Sequence, residues 1–223
     1  MKFRLIAIVA SVGLLAGCPL EQRSYTVTVK NLTSNQPLSP VALLVHDAQY
    51  RLFSIGEASS NALERLAEAG DNSAVLAEKE TNEHINYSFS GTGVILPGSS
   101  DTISFTIDPA IGNQMSLASM LVNTNDGFIG ETRINIDTLE VGDSLNINMN
   151  VWDAGTEAND EASETVPGPA AGGKGFNSIR NDNDQVSFHP GVISKDDGLA
   201  SSVLNGTHRF LNPGAHLIIT RTD

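Results

Sequence analysis

The chain has 223 residues, a formal net charge of −13, 40% hydrophobic residues and a single cysteine. That length carries one domain with a sizeable core, and the lone cysteine excludes an intrachain disulfide. The acidic balance repels phosphate backbones and so excludes nucleic acid as a partner, while it suits solubility and cation binding equally well.

Lys2 and Arg4 precede an almost unbroken apolar run from Leu5 to Leu15, the order of charges and apolar residues in a secretory signal. The run is too short to span a bilayer as a stable helix. The segment Leu14-Leu15-Ala16-Gly17-Cys18 resembles the lipobox of bacterial lipoproteins. That resemblance implies cleavage before Cys18 and lipidation of its thiol. Residues 1–17 are then a signal peptide, 18–24 a tether and 25–223 a single domain. No later segment is apolar and long enough to cross a membrane, so the lipid anchor would be the attachment to the bacterial cell envelope. Pro19 stands where inner-membrane retention in enteric bacteria uses aspartate, which favours the outer membrane, with the domain facing the periplasm or the surface.

Tyr25 to Leu32 alternates with period two, placing Tyr25, Val27 and Val29 on one face of a strand. Val41 to Val45 is continuously apolar and reads as a strand buried on both faces. Asn61 can cap a helix with Glu64 as its reciprocal partner; Leu63, Leu66 and Ala67 share a face and Gly70 closes it. A second short helix is expected from Ser73 to about Glu80. Strands are then expected at Ile85–Ser90, Thr102–Ile107, Leu117–Val122, Thr132–Ile136 and Leu145–Val151. From Asp153 to about Asp184 periodicity is lost among Gly, Ala, Asn and acidic residues, as in a long loop. Val186–Phe188 and Ala215–Arg221 close the fold. Many short strands without βαβ alternation favour a mostly β fold, an antiparallel β-sandwich with one or two short helices.

Two polar segments lie at strand ends, Asn123-Thr-Asn-Asp126-Gly-Phe-Ile-Gly130 and Val151-Trp-Asp153-Ala-Gly-Thr-Glu157. Calcium takes six to eight hard oxygen ligands. Asp153 and Glu157, four apart around Gly155, can wrap an ion if the loop turns at the glycine, and Asp126 can complete the site. Neither segment fits the calcium loop of a helix–loop–helix hand, and two polar turns in an acidic chain would look the same. His46, His84, His189, His208 and His216 show no zinc spacing. His46-Asp47 could pair near a sheet end, but His46 reads first as a hydrogen-bonded structural histidine, His189-Pro-Gly as a turn, and His216 as packing in the last strand. Gly98-Ser99-Ser100 lacks the closing glycine of a nucleophile elbow.

The chain resembles the spondin N-terminal domain family. The resemblance runs from Tyr25 to Arg221 through Leu38-Ser-Pro40, Val45-His-Asp47, Leu52-Phe53, Leu63 to Gly70, Asn125-Asp-Gly-Phe-Ile-Gly130, Trp152-Asp-Ala-Gly-Thr-Glu157, Phe210-Leu-Asn-Pro213 and Leu217 to Arg221. It implies a sandwich like calcium-dependent membrane-binding modules, with one calcium held by loops at one end. Its metal-binding acids fall on Asp126, Asp153 and Glu157. Animal members usually carry Asp where Glu157 stands and an aromatic residue where Gly127 stands, a change expected to loosen the loop; their cysteines are absent here.

The leading expectation is a non-enzymatic, calcium-binding, envelope-anchored module of adhesion type, whose partner is an extracellular or periplasmic protein or a glycan. Two others compete with it: a structural envelope component in which calcium only stabilises the domain, and an extracytoplasmic hydrolase using the acidic loops. The hydrolase requires a pocket with a carboxylate of perturbed pKa.

Overall fold

The computed structural model describes residues 21–223. The expected signal segment 1–17, and Cys18 with its lipid, lie outside the described residues. Among those described, the order is β1 (Arg23–Asn31), β2 (Ala42–His46), α1 (Asn61–Ala69), α2 (Ser73–Ala77), β3 (Ile85–Ser90), β4 (Ser100–Ile107), β5 (Gln114–Met120), β6 (Gly127–Asn135), β7 (Ser144–Met149), β8 (Val151–Asp153), β9 (Ser187–Phe188) and β10 (Ala215–Arg221). The strands form a four-stranded sheet, β4-β1-β10-β7, and a six-stranded sheet, β3-β2-β5-β6-β8-β9, with antiparallel pairing throughout.

The alternation of β1 turns Tyr25, Val27 and Val29 inward, where they share a core with Leu43 and Val45 of β2 and Met115 and Leu117 of β5. This is the expected β-sandwich. The outward threonines of β1 pair across the sheet, Thr28 with Thr102 at 2.8 Å. β2 is buried along its whole length because it has cover on both sides. Leu43 and Val45 face the sandwich, while Ala42 and Leu44 pack with Leu63 and Leu66 of α1 and Val75 of α2 in a second core. Burying Leu63 and Leu66 stabilises the helix layer by about 1.5–3 kcal/mol each.

Several boundaries differ from expectation. The α1 cap is Ser60, not Asn61: its side chain accepts from Leu63 N–H at 3.1 Å. Glu64 does not reach back to the cap but pairs with Arg180. Gly70 closes the helix as expected, at φ 67° with its N–H on Leu66 O. The single strand expected over Leu145–Val151 is two strands that change sheets, β7 beside β10 and β8 beside β6. The switch occurs because Val151 N–H turns to Asn212 Oδ1 at 2.7 Å, while Met149 O takes Gly214 N–H at 3.0 Å. β6 begins at Gly127, five residues early, which makes the turn carrying Asp126 tight. β1 begins at Arg23, so the last two residues of the expected tether are strand.

The segment 154–184 has no strand or helix, as expected of a loop, yet it is packed in. Val166 joins the main core, Ala154 and Thr156 are fully buried, and Gly168 sits so close to the Val122 backbone that no Cβ would fit. No helix among the described residues is long and apolar enough to cross a membrane.

Candidate functional site

The turn between β5 and β6 places Asp126. Leu121 N–H donates to Gly127 O at 2.8 Å. The Thr124 hydroxyl donates to Leu121 O at 2.7 Å and accepts from Gly127 N–H at 2.9 Å. Gly127 does not loosen this turn, contrary to expectation. A Cβ there would lie 2.7 Å from Thr124 Oγ1 and 2.9 Å from His189 Cδ2, so the glycine allows the turn to close against the imidazole.

β8 delivers Asp153 beside it, paired in register with Gly127. The next residues turn sharply at Gly155, whose φ of +72° favours glycine. A side chain there would also strike the Gln185 backbone. The turn aims two backbone N–H groups at one carboxylate oxygen. Asp126 Oδ2 accepts from Thr156 N–H at 2.7 Å, from Glu157 N–H at 3.1 Å and from the Thr156 hydroxyl at 3.2 Å. Asp153 Oδ1 accepts from Gly155 N–H at 2.8 Å and its Oδ2 from Asn159 Nδ2 at 2.6 Å.

Three acids expected from sequence are therefore brought into one neighbourhood, all buried. Two of them are under-satisfied: Asp126 Oδ1 and Glu157 Oε2 have no hydrogen-bond partner. Burial pushes the Asp126 carboxyl above the usual range and the Asp153 charge pushes it further, while burial also raises Asp153. Glu157 is pushed up to about 8 by burial, then by the charges of Glu68, Asp126 and Asp160. Asp126 thus feels the charge of Asp153, and Glu157 the charges of Glu68 and Asp126, which links the four acids as a row of repelling carboxylates. Among the described residues no group of three or more His, Cys, Asp and Glu side chains stands ready to hold a metal ion.

Glu68 was not expected here. It lies on α1, fully buried, with Oε2 accepting from Asn177 N–H at 2.7 Å and Oε1 unpartnered. In the sequence Glu64 and Glu68 are four apart on one helix stripe and read as a solvated face; in the structure both are buried under the 154–184 segment. Glu161 is a further buried acid, its Oε2 without a partner and its carboxyl pushed up by burial to about 7.

The histidines belong to other features. The His46 side chain bonds the Asp47 carbonyl at 2.7 Å and Ser116 Oγ at 2.7 Å, and burial lowers its pKa. The Asp47 carboxylate pairs with His84 instead. His189 closes the expected turn by accepting from Gly191 N–H. His216 is half-buried and bonded to Asn148 and Asn146 across the sheet rather than packed in the core.

The donor set suits a hard cation. Every polar group in the row is an oxygen, and two of the oxygens expected to bind are buried without partners. A buried carboxylate in that condition takes either a proton or a cation. Backbone carbonyls and water would have to complete the six to eight oxygens calcium requires.

A protein-family model described as Spondin_N matches residues 29–184, a span that includes Asp126, Asp153, Glu157 and Glu68. No curated protein matches the chain.

Proposed function

Because the chain belongs to the spondin N-terminal domain family, a family of non-catalytic β-sandwich modules of binding and adhesion type, we propose that it is an envelope-anchored module whose acidic loops bind calcium. The observation that carries the calcium reading is the pair of buried, unpartnered oxygens, Asp126 Oδ1 and Glu157 Oε2, on loops from two different strand ends. Asp126, Asp153 and Glu157 would hold the ion. When bound, it supplies positive charge that offsets their mutual repulsion and fixes the two loops to one another. A partner would then be a surface protein or glycan read by the loop end of the sandwich. Attachment to the envelope would run through a lipid on Cys18.

One observation favours a second reading, the hydrolase. Glu157, with its raised pKa, lines a cleft of about 570 Å³ together with Glu164, Thr165, Lys174 and Asn177. In that reading Glu157 acts as a proton donor or acceptor toward a bound substrate.

Calorimetric titration of calcium into the chelator-stripped protein, beside Asp126→Asn, tests the first reading. Saturable binding that the variant abolishes supports it. Absence of heat at millimolar calcium removes the metal, and the raised carboxyl of Glu157 then belongs to the hydrolase reading.

A further inference from the structure

Hydrogen bonds between the two sheets fix which loops share an end of the sandwich. Where β1 begins, Arg23 Nη1 donates to Asp137 Oδ1 at 2.7 Å and the Tyr25 hydroxyl donates to Ile136 O at 3.3 Å. The start of β1 therefore lies beside the end of β6. Where β1 ends, Asn31 Nδ2 donates to Gln36 O at 2.8 Å. The Gln36 side chain in turn exchanges two bonds of 3.2 Å with the Asn123 backbone, three residues before Asp126. β1 and β6 thus run in opposite directions between the same two ends, one strand in each sheet. Asp153 lies at the Asp126 end as well, since it pairs in register with Gly127.

The distance between those ends exceeds the reach of the tether. β6 has nine residues, which at the rise of an extended strand span about 27 Å. From Cys18 to Arg23 the chain advances five residues, and a fully extended chain of that length reaches about 18 Å at most. With the acidic loops turned down onto the bilayer, Arg23 would stand about 27 Å above it, beyond what a lipid on Cys18 allows. Charge acts in the same sense. The formal charge of −13 includes Lys2 and Arg4, so the domain after them is more acidic still, and an anionic lipid surface repels its flanks.

We propose that the anchored protein holds its Arg23 end toward the bilayer and presents the Asp126–Asp153–Glu157 loops on the side facing away from it. The surface those loops read is then borne by a partner that approaches from beyond the anchoring membrane, not by the lipids of that membrane. The inference rests on the lipid anchor at Cys18 proposed above and deepens that reading by giving the loop end its direction.

Energy transfer from each end of the domain to the bilayer tests the orientation. The lipidated full chain is purified from an exporting bacterial host and reconstituted into vesicles of phosphatidylcholine and phosphatidylglycerol that carry a headgroup-linked acceptor dye. Cys18 is the single cysteine of the chain and its thiol is taken up by the lipid, so Val141→Cys and Leu211→Cys each supply one free thiol for a donor dye. Val141 is 61% exposed at the tether end, next to Gly142, whose N–H meets Arg221 O. Leu211 is 88% exposed at the loop end, next to Asn212, which holds the start of β8. Transfer from position 141 is expected to exceed transfer from position 211 by about twofold or more, in chelator and in millimolar calcium alike. Should either variant fail to fold, Ile111→Cys at the tether end and Ile193→Cys at the loop end, both half-exposed, repeat the comparison. Equal or greater transfer from the loop end in either condition overturns the orientation and leaves the anchor intact. A wild-type chain that carries no lipid and does not float with the vesicles overturns both.

Discussion

Arg180 Nη2 donates to Glu64 Oε2 and to the Ser59 carbonyl, both at 2.8 Å. One guanidinium in an irregular segment thereby holds a buried helix carboxylate and the strand of chain that caps the helix. It also pairs with Asp184 four residues on, so the return of the loop is fixed against α1 at a single point.

Removing that guanidinium leaves Glu64, with a side chain only 4% exposed, charged and unpaired. Arg180→Met is expected to destabilise the fold by about 2–3 kcal/mol, below the figure for a fully buried pair because Arg180 itself is partly solvated. Adding Glu64→Gln should restore part of that loss. Urea unfolding of the two single variants and the double variant measures the coupling.

Gly155 makes a sharper demand. Its φ is +72° and a Cβ would overlap the Gln185 backbone, so strain and crowding act together. Gly155→Ala should cost about 2–5 kcal/mol and weaken calcium binding, since the same turn aims Thr156 and Glu157 N–H at Asp126. Chemical denaturation and a calcium titration of the variant read both effects.

How much of this was legible in the chain depended on how local the cause was. The alternation of β1 and the continuous apolar run of β2 are local patterns, and both strands formed where those patterns lie. The break between β7 and β8 is not local: it depends on Asn212, 61 residues from Val151. The α1 cap was ambiguous because Ser59, Ser60 and Asn61 are all capping residues, and only packing selects Ser60. Asp126, Asp153 and Glu157 were legible through their motifs. Glu68 was not, because an acid on an amphipathic helix reads as a solvated face until a loop is laid over it.

Glu161 offers a test of pH dependence outside the proposed ligands. It is 1% exposed, its Oε1 takes Ile193 N–H at 3.0 Å and its Oε2 has no partner. Burial pushes its carboxyl up to about 7 in the folded state, against about 4.3 when unfolded. The folded protein therefore holds the proton more tightly. The stability this lends is complete below about pH 4 and is lost as pH rises through 7. Glu161→Gln keeps the acceptor for Ile193 and removes the charge. It should melt about 2–4 °C above wild type at pH 8, a gain on the order of 1 kcal/mol, and show no advantage at pH 4.

Attachment to the envelope is tested independently of the domain. In a bacterial host that exports the protein, the wild type should fractionate with membranes and incorporate labelled fatty acid, whereas Cys18→Ser should do neither. A wild-type protein recovered entirely in the soluble fraction would contradict the lipid anchor.

The central claim is that a cation satisfies the buried acids of the β5–β6 and β8–β9 loops, and a pair of melting curves addresses it most directly. Wild type and Asp126→Asn are compared at pH 7.5 in chelator and in millimolar calcium. Without calcium, the variant should melt higher, because it removes a buried charge whose Oδ1 has no partner. With calcium, the order should reverse, the wild type gaining several degrees by mass action and the variant little. If calcium moves neither curve, or both equally, the row of acids is not a calcium site and the account fails at its centre.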